Sequence, residues 1–109
     1  FVNSITAREN LNAAYARINS GNRRGAIPLL IAASHFLPEA RNRLYSLRAE
    51  MRGEVGGIFE QGVAHFKNKR YKECINTMNL VLMIDPGNRE AEIYKEKSGK
   101  RAKAVSALR

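Results

Sequence analysis

Apolar and small residues recur three and four positions apart over most of the chain, the spacing that one face of an α-helix requires. Between Ile5 and Ile18 the series is Ala7, Leu11, Ala14, Tyr15 and Ile18, and the turn residues Ser20-Gly21-Asn22 interrupt it. Helical spacing resumes with Ala26, Ile27, Leu30, Ile31, Ala33 and Ser34 and runs to Phe36-Leu37-Pro38. Two antiparallel helices joined by a tight turn are expected over about residues 5–37. Pro28 falls past the first turn of the second helix, where it removes a hydrogen bond and crowds the preceding turn at a cost of roughly 3 kcal/mol. A late start near Gly25 or a kink is the expected response.

After Pro38 the positions Ala40, Leu44, Leu47, Met51, Val55, Ile58 and Gly62 step by three and four without losing phase, which predicts one long helix from about Glu39 to Asn68. Gly53, Gly56 and Gly57 lie inside it, and each costs about 1 kcal/mol relative to Ala, so a bend or break is possible at that cluster. Asn68-Lys69-Arg70 marks the next turn. Tyr71, Cys74, Ile75, Met78, Val81, Leu82 and Met83 then form an apolar helix stopped by Asp85-Pro86-Gly87-Asn88. A last helix over about 89–108 carries a thin stripe of Ala91, Tyr94, Ala102, Val105 and Leu108, with Glu92 and Lys95, and Glu96 and Lys100, spaced to pair. No stretch alternates with the period of two that a half-buried strand shows. The expected fold class is all-α, with about five helices and a single domain over residues 1–109.

Composition keeps the chain in the globular class: 44% hydrophobic and 27% charged residues in 109. One cysteine, Cys74, excludes an intrachain disulfide, and His35 and His65 are the only histidines available to join it. Cys74 is read as a buried packing residue rather than a reactive thiol, His65 equally as a ligand or base or as a groove-packing residue, and His35 as a capping or packing residue near a helix end. Phosphate-binding loops, paired catalytic carboxylates and Ser-His-Asp arrangements are all missing from the pattern. The expectation is a non-enzymatic chain with no cofactor and no metal. No apolar run approaches the ~18 residues of a membrane span. A soluble domain is expected, leaning to the cytoplasm, and the opening Phe1-Val2-Asn3 without Met reads as a fragment of a larger protein. The net charge of +9, from 19 basic against 10 acidic residues, is spread along the chain and steers acidic partners of any class.

The helix, turn, helix, Pro layout occurs twice, residues 10–38 aligning with 58–86. The segment from Gly62-Val63-Ala64-His65-Phe66 through Tyr71-Lys72-Glu73-Cys74-Ile75, followed by Asp85-Pro86-Gly87-Asn88, resembles a tetratricopeptide repeat, whose 34 positions carry a fixed order of large and small residues. Ile58 takes the family's tryptophan slot, Gly62 its close-packing glycine, Cys74 its small alanine, Met78 the aromatic after it and Pro86 the closing proline. Gln61 and His65 depart from the usual leucine and tyrosine. In the first copy Ala14, Ala26, Leu30, Ala33 and Pro38 fit, whereas Asn10 and Arg17 do not. Small residues at such positions let the helices of a hairpin approach closely, and large ones fill the groove between hairpins. The copies lie 48 positions apart instead of the family's 34. The surplus is close to four helical turns, expected as a connecting helix over about 39–57 between hairpin 1 (about 5–37) and hairpin 2 (about 58–85), with a capping helix after them.

The resemblance implies that the first helix of each hairpin lines a surface that holds a peptide or helix of a partner. Position by position, that surface would comprise Asn12, Tyr15 and Asn19 from the first hairpin, Phe59, Val63, Phe66 and Lys67 from the second, and Tyr94, Lys97, Lys100 and Arg101 from the last helix. Its mixture of aromatics and cations suits an acidic or amphipathic segment with apolar anchors. The two-carboxylate clamp of some family members is absent, since Leu11, Tyr15, Glu60, Glu90 and Tyr94 occupy its positions. The bland alternative is that Tyr15, Phe59 and Phe66 are core and the cations a solvated face. The expected partner is another protein or peptide, acidic in character, or a second copy of the chain within an assembly. A rival reading, a basic accessory domain for nucleic acid or an anionic surface, rests on the ridge Arg41, Arg48 and Arg52, seven and four apart. No stacking aromatics are interleaved with that ridge.

Overall fold

The computed structural model describes residues 2–108, and among them every regular element is helical. The six α-helices are α1 (Val2–Asn19), α2 (Arg23–Ser34), α3 (Pro38–Met51), α4 (Val55–Lys67), α5 (Tyr71–Ile84) and α6 (Arg89–Ala107), with a single 3-10 turn, Arg52–Glu54, between α3 and α4. The all-α class expected from the periodicity is what the chain adopts. The chain divides into two compact units after Met51.

That division falls where the long helix was expected to continue. The helix stops at Met51, and Arg52-Gly53-Glu54 forms the 3-10 turn before α4 starts at Val55. A Cβ placed on Gly53, Gly56 or Gly57 would meet nothing within 4 Å, so no close packing offsets the helix cost of these glycines. The stretch expected as a connecting helix over 39–57 is therefore interrupted by that turn.

In the first unit α2 packs against both α1 and α3. Its core is Ala7, Leu11 and Ala14 of α1, Ala26, Ile27, Leu30 and Ala33 of α2, and Ala40, Leu44, Leu47 and Met51 of α3. Each fully buried Leu, Ile or Met contributes about 1.5–3 kcal/mol relative to exposure. Asn22 caps α2, its Oδ1 accepting from the Gly25 N–H at 2.9 Å, so the helix opens at Arg23 rather than late. Pro28 sits inside α2 on its exposed side. Arg41 Nη1 donates to the Ser34 carbonyl at 2.8 Å and satisfies one acceptor of the last turn of α2. Arg8 of α1 and Glu39 of α3 form an ion pair.

In the second unit α5 is central and packs against α4 and α6. Ile58 and Gly62 of α4, Cys74, Met78, Val81 and Ile84 of α5, and Ala91 and Ser98 of α6 are buried. Gly62 is a close-approach position: a Cβ there would lie 2.5 Å from Met78 Cε and 3.3 Å from Thr77 Cγ2. The free thiol of Cys74 is fully buried beside this contact.

The two α–α turns repeat each other bond for bond. Ser20, Gly21 and Asn22 donate to the carbonyls of Ala16, Ile18 and Arg17 at 3.1, 3.0 and 2.8 Å. Asn68, Lys69 and Arg70, each 48 positions on, donate to Ala64, Phe66 and His65 at the same three distances. This is the Schellman closure, which needs a left-handed residue after the helix. Gly21 supplies it at φ 86 and Lys69, without a glycine's freedom, at φ 61.

Candidate partner-binding face

Phe59 and Phe66 are seven apart on α4, two turns along one face, and Tyr94 lies in the second turn of α6. The Tyr94 ring meets Phe59 at 5.6 Å between centroids and Phe66 at 5.3 Å, both nearly perpendicular. Such edge-to-face pairs are worth about 0.5–1.5 kcal/mol beyond their buried area. The three rings thus hold α6 to α4 and form a half-buried strip.

Cations cover this strip. Lys97 Nζ lies 5.6 Å from the Tyr94 centroid, and Arg101 Cζ lies 4.9 Å from that of Phe66, within the range of cation–π attraction. Lys97 and Arg101 follow Tyr94 by one and two turns on α6, which is why both reach the rings. Val63 is half-buried on the α4 face between the two phenylalanines, and Lys67 is exposed in the last turn of that helix.

Five of the expected residues, Phe59, Phe66, Tyr94, Lys97 and Arg101, are therefore in one cluster. Lys100 is turned away from it: its ammonium pairs with Glu96 at 3.1 Å, as the spacing predicts, and it shares an outer surface of α6 with Lys95 and Lys103. Asn12, Tyr15 and Asn19 are exposed on α1 of the first unit, Tyr15 at 37%. Phe59 and Phe66 are neither core nor free, since both are only half-buried.

Tyr71 was missing from the expected face. It opens α5, and its ring meets Phe66 at 5.7 Å, lengthening the strip to four rings. The signal was its position directly after the turn that ends α4, where a side chain can fold back over the last turn of the preceding helix.

The arginines of the rival ridge differ in their surroundings. Arg41 binds the α2 carboxyl end, Arg48 is half-buried with its pKa lowered by desolvation, and Arg52 is exposed in the 3-10 turn that opens the second unit. Arg43 pairs with Glu50 at 3.6 Å. His35 is exposed and His65 half-buried, and no group of three His, Cys, Asp or Glu is placed to hold a metal among the described residues. No described helix is long and apolar enough to cross a membrane.

No family model matches the chain, and no curated protein or solved structure matches it either. Geometry and chemistry alone carry the functional reading.

Proposed function

We propose that this chain is a protein-interaction module whose α4/α6 face takes an acidic or amphipathic segment of a partner through apolar anchor residues. The observation that carries the reading is the half-buried ring strip Phe59–Tyr94–Phe66 with Lys97 and Arg101 laid over it. Ring edges supply contact area with little side-chain entropy to lose, and the cations supply steering and carboxylate partners. The tetratricopeptide-like reading of the hairpins is supported by two turns with equal hydrogen bonds and by small residues, Ala14, Ala26, Gly62 and Cys74, buried at the corresponding helix contacts.

Nucleic acid is the less favoured ligand on the same geometry. Base stacking needs open ring faces. Here Arg101 and Lys97 cover faces of Phe66 and Tyr94.

The test is selection of binders from a random peptide library, repeated with the double variant Lys97→Glu/Arg101→Glu. Both side chains are exposed, so the fold is retained. The expected result is enrichment of Asp and Glu flanking Phe or Leu for the parent and loss of that enrichment for the variant. Identical selections by the two proteins would sink the reading. Tight binding of random oligonucleotides with a steep salt slope would replace it with the nucleic-acid reading.

A further inference from the structure

The ring strip does not end at Phe66. Through Tyr71 it runs into an open, shallow basin of about 450 Å³ lined by the start of α5 and the last two turns of α6 within the second unit. That volume lies in the range of small-ligand sites, enough for a few side chains. Its apolar lining residues are Tyr71 and Ala102, both half-buried, and the exposed Val105. Beside them stand the exposed cations Lys69, Arg70 and Lys72, against the single carboxylate of Glu73.

Lys69 adds a second observation. It holds the left-handed backbone position that Gly21 holds in the equivalent turn. A side chain there costs roughly 1–2 kcal/mol. The chain thus presents a cation at the edge of the basin where glycine would be the less strained residue.

We propose that this basin is an acidic-residue subsite of the α4/α6 face: a peptide anchored by an apolar residue on the rings continues past Tyr71 and places Asp or Glu side chains among Lys69, Arg70 and Lys72. The inference rests on the peptide-binding reading of that face and adds the direction of the peptide and the place of its charges. The occupant is an acidic peptide because three cations face one carboxylate in the lining and the basin is continuous, through Tyr71, with a strip suited to an apolar anchor.

The experiment measures fluorescence anisotropy of the full chain with two labelled probes, one carrying a Phe anchor followed by three Asp or Glu residues and one with those acids replaced by Asn or Gln. The basin variant is Lys69→Gly/Arg70→Gln/Lys72→Gln. Its Lys69 change relieves the backbone, so lost binding is not lost folding. The control, Lys95→Gln/Lys100→Gln/Lys103→Gln, removes equal charge from the outer surface of α6. The expected result is a Kd for the acidic probe about tenfold weaker in the basin variant and within about twofold in the control, with the neutral probe unmoved by either. Equal weakening in both variants overturns the subsite, because only net charge then matters. Binding lost in Lys97→Glu/Arg101→Glu but kept in the basin variant also overturns it and leaves the face reading standing. Failure of both probes to bind the parent protein overturns the two together. Basin-dependent binding of an oligonucleotide in place of the peptide overturns the stated occupant.

Discussion

Ser98 is fully buried on α6 in a unit where α5 is the packing partner, and its hydroxyl has no hydrogen-bond partner among the described residues. Replacing it by alanine removes that oxygen and nothing else. An unpaired buried hydroxyl costs about 1–3 kcal/mol of desolvation. Serine is also about 0.5 kcal/mol poorer than alanine in a helix interior. Against these stand only the dispersion contacts of one atom, a few tenths of a kcal/mol. Ser98→Ala is therefore expected to stabilise by about 1–3 kcal/mol, each kcal/mol raising Tm by roughly 8 °C for a unit of this size. Urea unfolding followed by far-UV circular dichroism measures it, with an unchanged m showing that the surface exposed on unfolding is the same. Ser98→Val separates polarity from volume: it also removes the hydroxyl but adds a methyl and a branched β-carbon in a closed site, and should fall below alanine. A Ser98→Ala protein no more stable than the parent would refute the reasoning, because the hydroxyl would then be satisfied.

Lys69→Gly should stabilise by about 0.5–1 kcal/mol, since relief of the left-handed strain exceeds the added freedom of the unfolded chain, while Gly21→Ala in the equivalent turn should cost about 1 kcal/mol; equilibrium unfolding of both variants checks the opposite signs. Gly56→Ala and Gly57→Ala, where a Cβ meets open space, should each raise stability by about 0.5 kcal/mol through helix propensity alone, read as a higher thermal midpoint.

Turn chemistry made most helix ends legible. Ser20-Gly21-Asn22, Asn68-Lys69-Arg70 and Asp85-Pro86-Gly87-Asn88 stand where the structure turns. The break after Met51 was half-legible for a physical reason. A 3-10 residue turns the chain about 120° and an α-helical one about 100°, so three of them move the apolar face by only about 60°. Leu47, Met51, Val55 and Ile58 keep their stepping across the interruption, because periodicity records phase and not continuity. The glycines were the better signal, and what decided it, empty space over each, is not written in the sequence. Within the face, Phe59, Phe66 and Tyr94 were legible from their spacing. Lys100 was not, since six residues beyond Tyr94 lie well around a helix of 100° per residue.

The two units share a plan but only the second carries the ring strip, and the substitutions explain why. Positions 48 earlier than Phe59 and Phe66 are Leu11, fully buried, and Ile18, half-buried, so α1 places no rings there. The third helices align from their fully buried alanines, Ala40 and Ala91. On that alignment Leu44, Leu47 and Met51 of α3 answer to Lys95, Ser98 and Ala102 of α6, and Arg43 and Glu50, which form an ion pair, answer to Tyr94 and Arg101. Large buried side chains hold α3, whereas α6 presents small or polar ones at the same places. Tyr94, packed on Phe59 and Phe66, adds ring contacts with α4 to the packing of α6 on α5. Under the proposed function, structural and recognition roles coincide in the rings, and truncating Phe66 should then lower stability and binding together. Lys97 and Arg101 lie over the rings but are exposed, so on that proposal binding can be altered through them at a smaller cost to the fold than by truncating a ring.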